Sequence, residues 1–151
     1  MPRTTSPGWT GDAAAPVGVD GSSCSRTALT WAAAEAAVHG ADLVALEVWK
    51  PPLLPPVGSG SVPHGDVPDW SGATAEHLLK IIEEELGEAP PVLVHPRVKQ
   101  GNAAAVLIDE SAHADLLVVG SRGHGGFVGL ALGSVSQHVA GYAKCSVTVV
   151  R

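Results

Sequence analysis

The chain is poor in the residues that would commit it to several large classes of protein. It has two cysteines in 151 residues, Cys24 and Cys145, far apart and without CxxC spacing. Neither a disulfide framework nor a thiolate metal site is therefore encoded, and both read as reduced packing residues. The seven histidines share no common spacing, so no zinc or iron site is expected. No apolar run approaches the roughly 18 residues that span a bilayer, and the first residues (MPRTTSPGWTGDAAAP) lack the continuous apolar core of a secretory signal. A cytoplasmic protein without a membrane partner is expected. Aromatics make up only 4% of the chain, so its core must come from Val, Leu, Ala and Ile, which suits strands buried on both faces by helices.

Positive charge is also scarce. Nine Lys and Arg face 15 Asp and Glu, a net charge of −6, which excludes the basic surface that non-specific nucleic-acid binding needs. The acids are themselves missing from one region: all 15 lie at or before Asp115, leaving the last 36 residues with none. That segment carries Arg122, His124, His138, Lys144 and Arg151, so an anionic ligand is repelled least there.

What the acid-free segment has in excess is glycine. Residues 120–136, GSRGHGGFVGLALGSVS, contain six glycines in seventeen positions. Each would cost a helix or strand roughly 0.5–1 kcal/mol relative to Ala, so the composition makes sense where backbone must approach a ligand closely.

Around this stretch, apolar strands alternate with helical patterns. Strands are predicted over residues 16–20, 42–49, 92–98, 115–119 and 146–150, and helices over about 22–38, 71–86, 103–113 and 134–142. Ser22 and Asn102 stand at N-cap positions, and Gly40 lies where a helix stop is wanted. Pro96 inside the third strand predicts an edge position or a bulge. Residues 1–15 are read as a disordered tail, ahead of one domain spanning 16–151. Residues 51–68 hold nine prolines and glycines, which forbids a regular element. This Pro/Gly-rich surface loop, counted as 51–70 with its flanks, reads as a variable excursion, a lid or a partner-binding segment.

The alternation describes an α/β fold in three layers, a five-stranded parallel sheet with helices on both faces. In the strand order 3-2-1-4-5 the order reverses between the first and fourth strands, and ligands of such sheets bind beyond the carboxyl ends at that point. Asp20 and the Gly120, Ser121, Arg122, Gly123 turn would face each other there. Gly133, Ser134, Val135 and Ser136 open the last helix, whose free N–H groups favour an anion such as phosphate. Arg122 and His124 are phosphate contacts by charge alone.

Two common phosphate motifs fail. A Walker A loop needs a Lys beside the Gly133-Ser134 pair, and none is present; a dinucleotide GxGxxG should follow the first strand, where Gly18 and Gly21 have the wrong spacing. No GxSxG nucleophile elbow surrounds Ser121, Ser134 or Ser136, and no catalytic set can be assembled.

The spacing that is present is Gly120, two residues, Gly123, nine residues, then Gly133-Ser134. This G-x2-G-x9-G-[ST] pattern resembles the nucleotide-binding signature of the universal stress protein family. The likeness extends to VGVDGS, the EVW end of the second strand, the QGN before the third helix and the terminal SVTVVR, that is, over residues 16–151.

The resemblance implies a flavodoxin-like sheet that binds ATP or another adenine nucleotide (ADP, AMP), with Mg as a companion of the phosphates. By position it assigns Asp20 and the backbone at Val48 to adenine and ribose, with Gly18 and Val19 lining the same pocket. Gly120, Gly123, Gly133, Ser134, Val135 and Ser136 would hold ribose and phosphates, the two serine hydroxyls acting as donors. It also implies a homodimer through residues 146–150. The expectation is a stress-response binding module; the alternatives are a slow ATP hydrolase and a nucleotide-free dimerisation module.

Overall fold

The computed structural model describes residues 14–52, 68–125, 129 and 131–151. The expected tail, apart from Ala14 and Ala15, and most of the Pro/Gly-rich loop lie outside the described residues.

Strands β1 (Ala15–Gly18), β2 (Leu43–Trp49), β3 (Val94–Gln100), β4 (Leu116–Gly120) and β5 (Ser146–Val150) alternate with helices α1 (Ser23–His39), α2 (Trp70–Leu86), α3 (Ala103–Ser111) and α4 (Ser134–Tyr142). All pairings are parallel, and the sheet order is β3-β2-β1-β4-β5. This is the order expected, in a flavodoxin-like arrangement of a parallel sheet flanked by helices. β1 begins one residue earlier than the pattern suggests, at Ala15, because Ala15 N–H donates to the Asp42 carbonyl as β2 begins. β3 starts two residues late, after Pro90 and Pro91, and runs on to Gln100.

Alternation along the strands divides the core in two. Val17, Val19, Leu43, Ala45, Leu116 and Val118 face one way and pack under α1 and α2, where Leu29, Leu78 and Ile81 are fully buried. Leu46, Leu117 and Val119 face the other way and meet Leu107 of α3 and Val139 of α4. Each such Leu or Ile side chain contributes about 1.5–3 kcal/mol on burial. α1 is Ala-rich on its buried face (Ala28, Ala32, Ala33, Ala36), which lets it lie close to the sheet.

The helix ends follow their sequence signals. Ser22 accepts a bond from Ser25 N–H, Asp69 from Gly72 N–H and Asn102 from Ala105 N–H, capping α1, α2 and α3. Gly40 ends α1 in the left-handed conformation at φ 62°. α4 differs: its cap is Gly133, which offers no side-chain bond.

The two outer strands are unlike. β3 exposes Pro96, Arg97 and Lys99, with Arg97 and Lys99 paired to Glu110 of α3. A proline and charges blunt an edge against further pairing, so Pro96 has the edge position its sequence context predicts. β5 carries Val147, Thr148, Val149 and Val150, without a charge or a proline.

Candidate functional site

β1 and β4 are neighbours, with Val17 opposite Val118, and the chain leaves them in opposite lateral directions. The crevice this opens beyond their carboxyl ends is a cleft of about 520 Å³, within the range of small-molecule sites. Eleven of the twelve residues singled out from the sequence line it: Gly18, Val19, Asp20, Val48, Gly120, Arg122, Gly123, Gly133, Ser134, Val135 and Ser136. Leu46, Leu107 and Val119 complete an apolar floor.

Ser121 is placed elsewhere. It is buried at 2% exposure; its N–H donates to the Val150 carbonyl, and its own carbonyl accepts from Gly133 N–H at 2.7 Å and Ser136 Oγ at 2.9 Å. Ser121 therefore ties the end of β4 to β5 and to the start of α4. Ser136 belongs to the same tie: its hydroxyl donates to the carbonyls of Ser121 and Gly133, so its proton is committed within the chain. Ser134, by contrast, is exposed at the first turn of α4.

The glycines serve different ends. A Cβ at Gly120 would lie 2.8 Å from the Cys24 carbonyl carbon and 2.9 Å from Ser25 N, so this glycine admits the backbone of α1 rather than a ligand. A Cβ at Gly123 would meet Asp20 Oδ2 at 2.6 Å. At Gly133 the nearest atoms would stand 3.5 Å away, an ordinary contact, and φ −75° is open to any residue. The fold does not require glycine there.

Asp20 is held by its neighbours. Its Oδ1 accepts from both the N–H and the hydroxyl of Ser22, while its own N–H donates to Ser25 Oγ. Ser22 Oγ also stands 3.4 Å from the Arg122 carbonyl across the crevice. The sequence marks Ser22 as a cap; that it also grips Asp20, and that Ser25 supports both, requires the turn geometry at Gly21, where φ is 83°. His124 crosses the mouth, its Nε2 donating to the Asp20 carbonyl at 2.7 Å.

Partial burial pushes the Asp20 carboxyl up, but the bonds from Ser22 and Ser25 and the nearby His124 more than offset it, so its pKa lies below the usual 3.8. A carboxyl lowered on folding contributes stability above its unfolded pKa and loses it as pH falls through the folded value. Urea midpoints of wild type and Asp20→Asn should therefore differ at pH 7 in favour of wild type and converge as pH falls through and below 3.8. A constant difference across that range would refute the ionic contribution. On the opposite face of β2, Glu47 is raised by burial, only partly offset by His77 donating from Nδ1 at 2.8 Å.

An apolar floor, a glycine-lined wall and an uncapped helix start converge at the topological switch point. The match of the universal stress protein family model to residues 16–151 decides what kind of chain builds it. The chain belongs to the universal stress protein family. A universal stress protein of Mycolicibacterium smegmatis is 40% identical over 139 residues, covering 89% of this chain and 44% of that one. The chain thus spans a little under half the length of the curated relatives it matches. A universal stress protein solved in complex with cAMP superposes with a TM-score of 0.67 at 26% identity, over 94% of this chain and 98% of that one. The family protein from Archaeoglobus fulgidus solved with dAMP has a TM-score of 0.59 at 17% identity, over 93% and 98%, a likeness of fold.

Proposed function

We propose that this universal stress protein binds an adenine nucleotide, with ATP as the reference ligand beside ADP and AMP, in the cleft between β1 and β4, and acts as a stress-response regulatory module rather than a dedicated catalyst. The observation that carries the reading is the start of α4. Its cap, Gly133, supplies no side-chain acceptor, so the first-turn N–H groups of Ser134, Val135 and Ser136 are left for a ligand beside Gly123 and Arg122. Adenine would lie on the apolar floor near Val48, Gly18 and Val19, with ribose hydroxyls toward Asp20 Oδ2. The cAMP complex of a relative at 26% identity supports an adenine-bearing ligand.

A phosphate held at α4 would be gripped by backbone N–H groups and the Ser134 hydroxyl. The Ser136 hydroxyl would hold the loop instead. Among the described residues no group of three or more His, Cys, Asp or Glu converges to hold a metal ion, and Asp20 is the sole acid on the cleft wall. Mg²⁺ would therefore arrive on the phosphates and keep most of its waters. With no activated nucleophile or base facing that position among the described residues, phosphate release should be slight.

Denatured, freshly purified protein should yield an adenine nucleotide by mass spectrometry, and incubation with ATP and Mg²⁺ should release less than one phosphate per chain over many minutes. Sustained turnover abolished by Ser134→Ala or Asp20→Asn would favour the hydrolase instead.

The proposal includes a homodimer through β5, supported by the contrast between its charge-free strand and the protected edge at β3. Val150 turns its carbonyl to Ser121 N–H at the end of β4, so the neighbouring Val149 N–H points outward, and Val149→Pro, which removes that edge donor, should shift the protein from dimer to monomer in light scattering. A wild-type monomer at high micromolar concentration would refute it. A cytoplasmic location belongs to the same reading; among the described residues no helix is long and apolar enough to cross a membrane.

A further inference from the structure

A second hollow of about 440 Å³ adjoins the cleft, sharing Val48, Ala103, Ser134 and Val135 with it. Its own walls add Lys50, Asn102 and His138. No acid lines it, in a chain whose net charge is −6, and Lys50 makes no ion pair among the described residues. His138 lies one turn beyond Ser134 on the same side of α4; its Nδ1 donates to the Ser134 carbonyl at 2.8 Å, leaving Nε2 as the ring atom open to a ligand. Asn102, by contrast, is spent on capping α3.

These positions form a path. A phosphate at the start of α4 would sit beside Ser134, and the hollow that continues from Ser134 and Val135 is lined by His138 and Lys50. Phosphates that end at the start of α4 would leave the second hollow empty. From this we infer that the Lys50–His138 hollow is a subsite for the distal arm of a dinucleoside polyphosphate, an adenine nucleotide whose phosphate chain carries a second nucleoside. Lys50 neutralises the distal phosphates as a mobile point charge. The inference rests on the adenine-nucleotide reading of the main cleft.

The test is calorimetric titration of the whole chain with ATP and with diadenosine tetraphosphate, in wild type, Lys50→Ala and Lys50→Arg. Wild type should bind the dinucleotide at least about tenfold more tightly than ATP. Lys50→Ala should bring the two affinities to within a factor of about two by weakening the dinucleotide alone, and Lys50→Arg should retain most of the preference. Equal affinities in wild type, or a preference that survives Lys50→Ala, would overturn the subsite while leaving the main cleft assigned. Binding of neither ligand would overturn both, and loss of ATP binding in Lys50→Ala would place Lys50 in the main site instead.

Discussion

Saturating ATP with Mg²⁺ should raise the melting temperature of the wild-type protein and leave Gly133→Val unmoved. At ligand concentrations near 100 times Kd the stabilisation is about 2.7 kcal/mol, which for a chain of this size corresponds to roughly 5–10 °C. The glycine cap of α4 has an extended conformation that any residue adopts, and the first atom of a side chain finds its neighbours at 3.5 Å. Gly133→Ala should therefore fold normally and keep part of the shift. The two branches of Val would reach further, into the cleft that Gly133 lines. Both variants should melt within a few degrees of wild type without ligand. A full ATP shift in Gly133→Val, measured by calorimetry, would overturn the placement of phosphates at α4.

Gly120→Ala should instead lower stability without any ligand present. Its Cβ would fall 2.8 Å from the Cys24 carbonyl carbon and 2.9 Å from both Cys24 Cβ and Ser25 N. These are atoms of the first turn of α1, largely backbone, and cannot rotate away. Either α1 lifts from β4 or the end of β4 bends, and overpacking of this kind costs about 1–3 kcal/mol. In melting temperature that is a fall of roughly 2–12 °C. The denaturant slope should stay constant while the midpoint falls. An unchanged midpoint would show that the helix and strand ends yield more easily than their packing indicates. Two glycines of one signature are thus expected to fail in opposite ways, one by losing ligand and the other by losing the fold.

That contrast marks where sequence reading reaches its limit. The period of hydrophobic residues locates nine elements to within two or three residues, because alternation and helical spacing report local burial directly. Sheet order and the crevice follow from topology and the placement of Asp20 and Gly120 at strand ends. Which atoms a glycine spares is a different kind of fact. Gly120 admits Cys24 and Ser25, nearly a hundred residues away in the chain, and Gly123 admits the Asp20 carboxylate; spacing within the motif carries no trace of either partner. The serines divide for the same reason. Ser134 and Ser136 stand two apart at the start of one helix, yet the turn of α4 exposes the first and points the second at the Ser121 and Gly133 carbonyls. His124 is readable as a cation and unreadable as the group that bridges to the Asp20 carbonyl. Residues 126–128 and 130, within the nine residues between the two halves of the signature, lie outside the described residues.

The unequal flanks of the sheet also limit what the protein can build. A strand edge that accepts a neighbour on both sides of a subunit would let chains add without end, and a filament would follow. Here Pro96, Arg97 and Lys99 close one side, while the other ends in an uncharged Val-Thr-Val-Val run. If that open side meets its own copy across a two-fold axis, the pair has two blunted ends and nothing left to extend. Assembly would then stop at two at any concentration, and the clefts between β1 and β4, opening at the strand ends, would remain accessible on both halves.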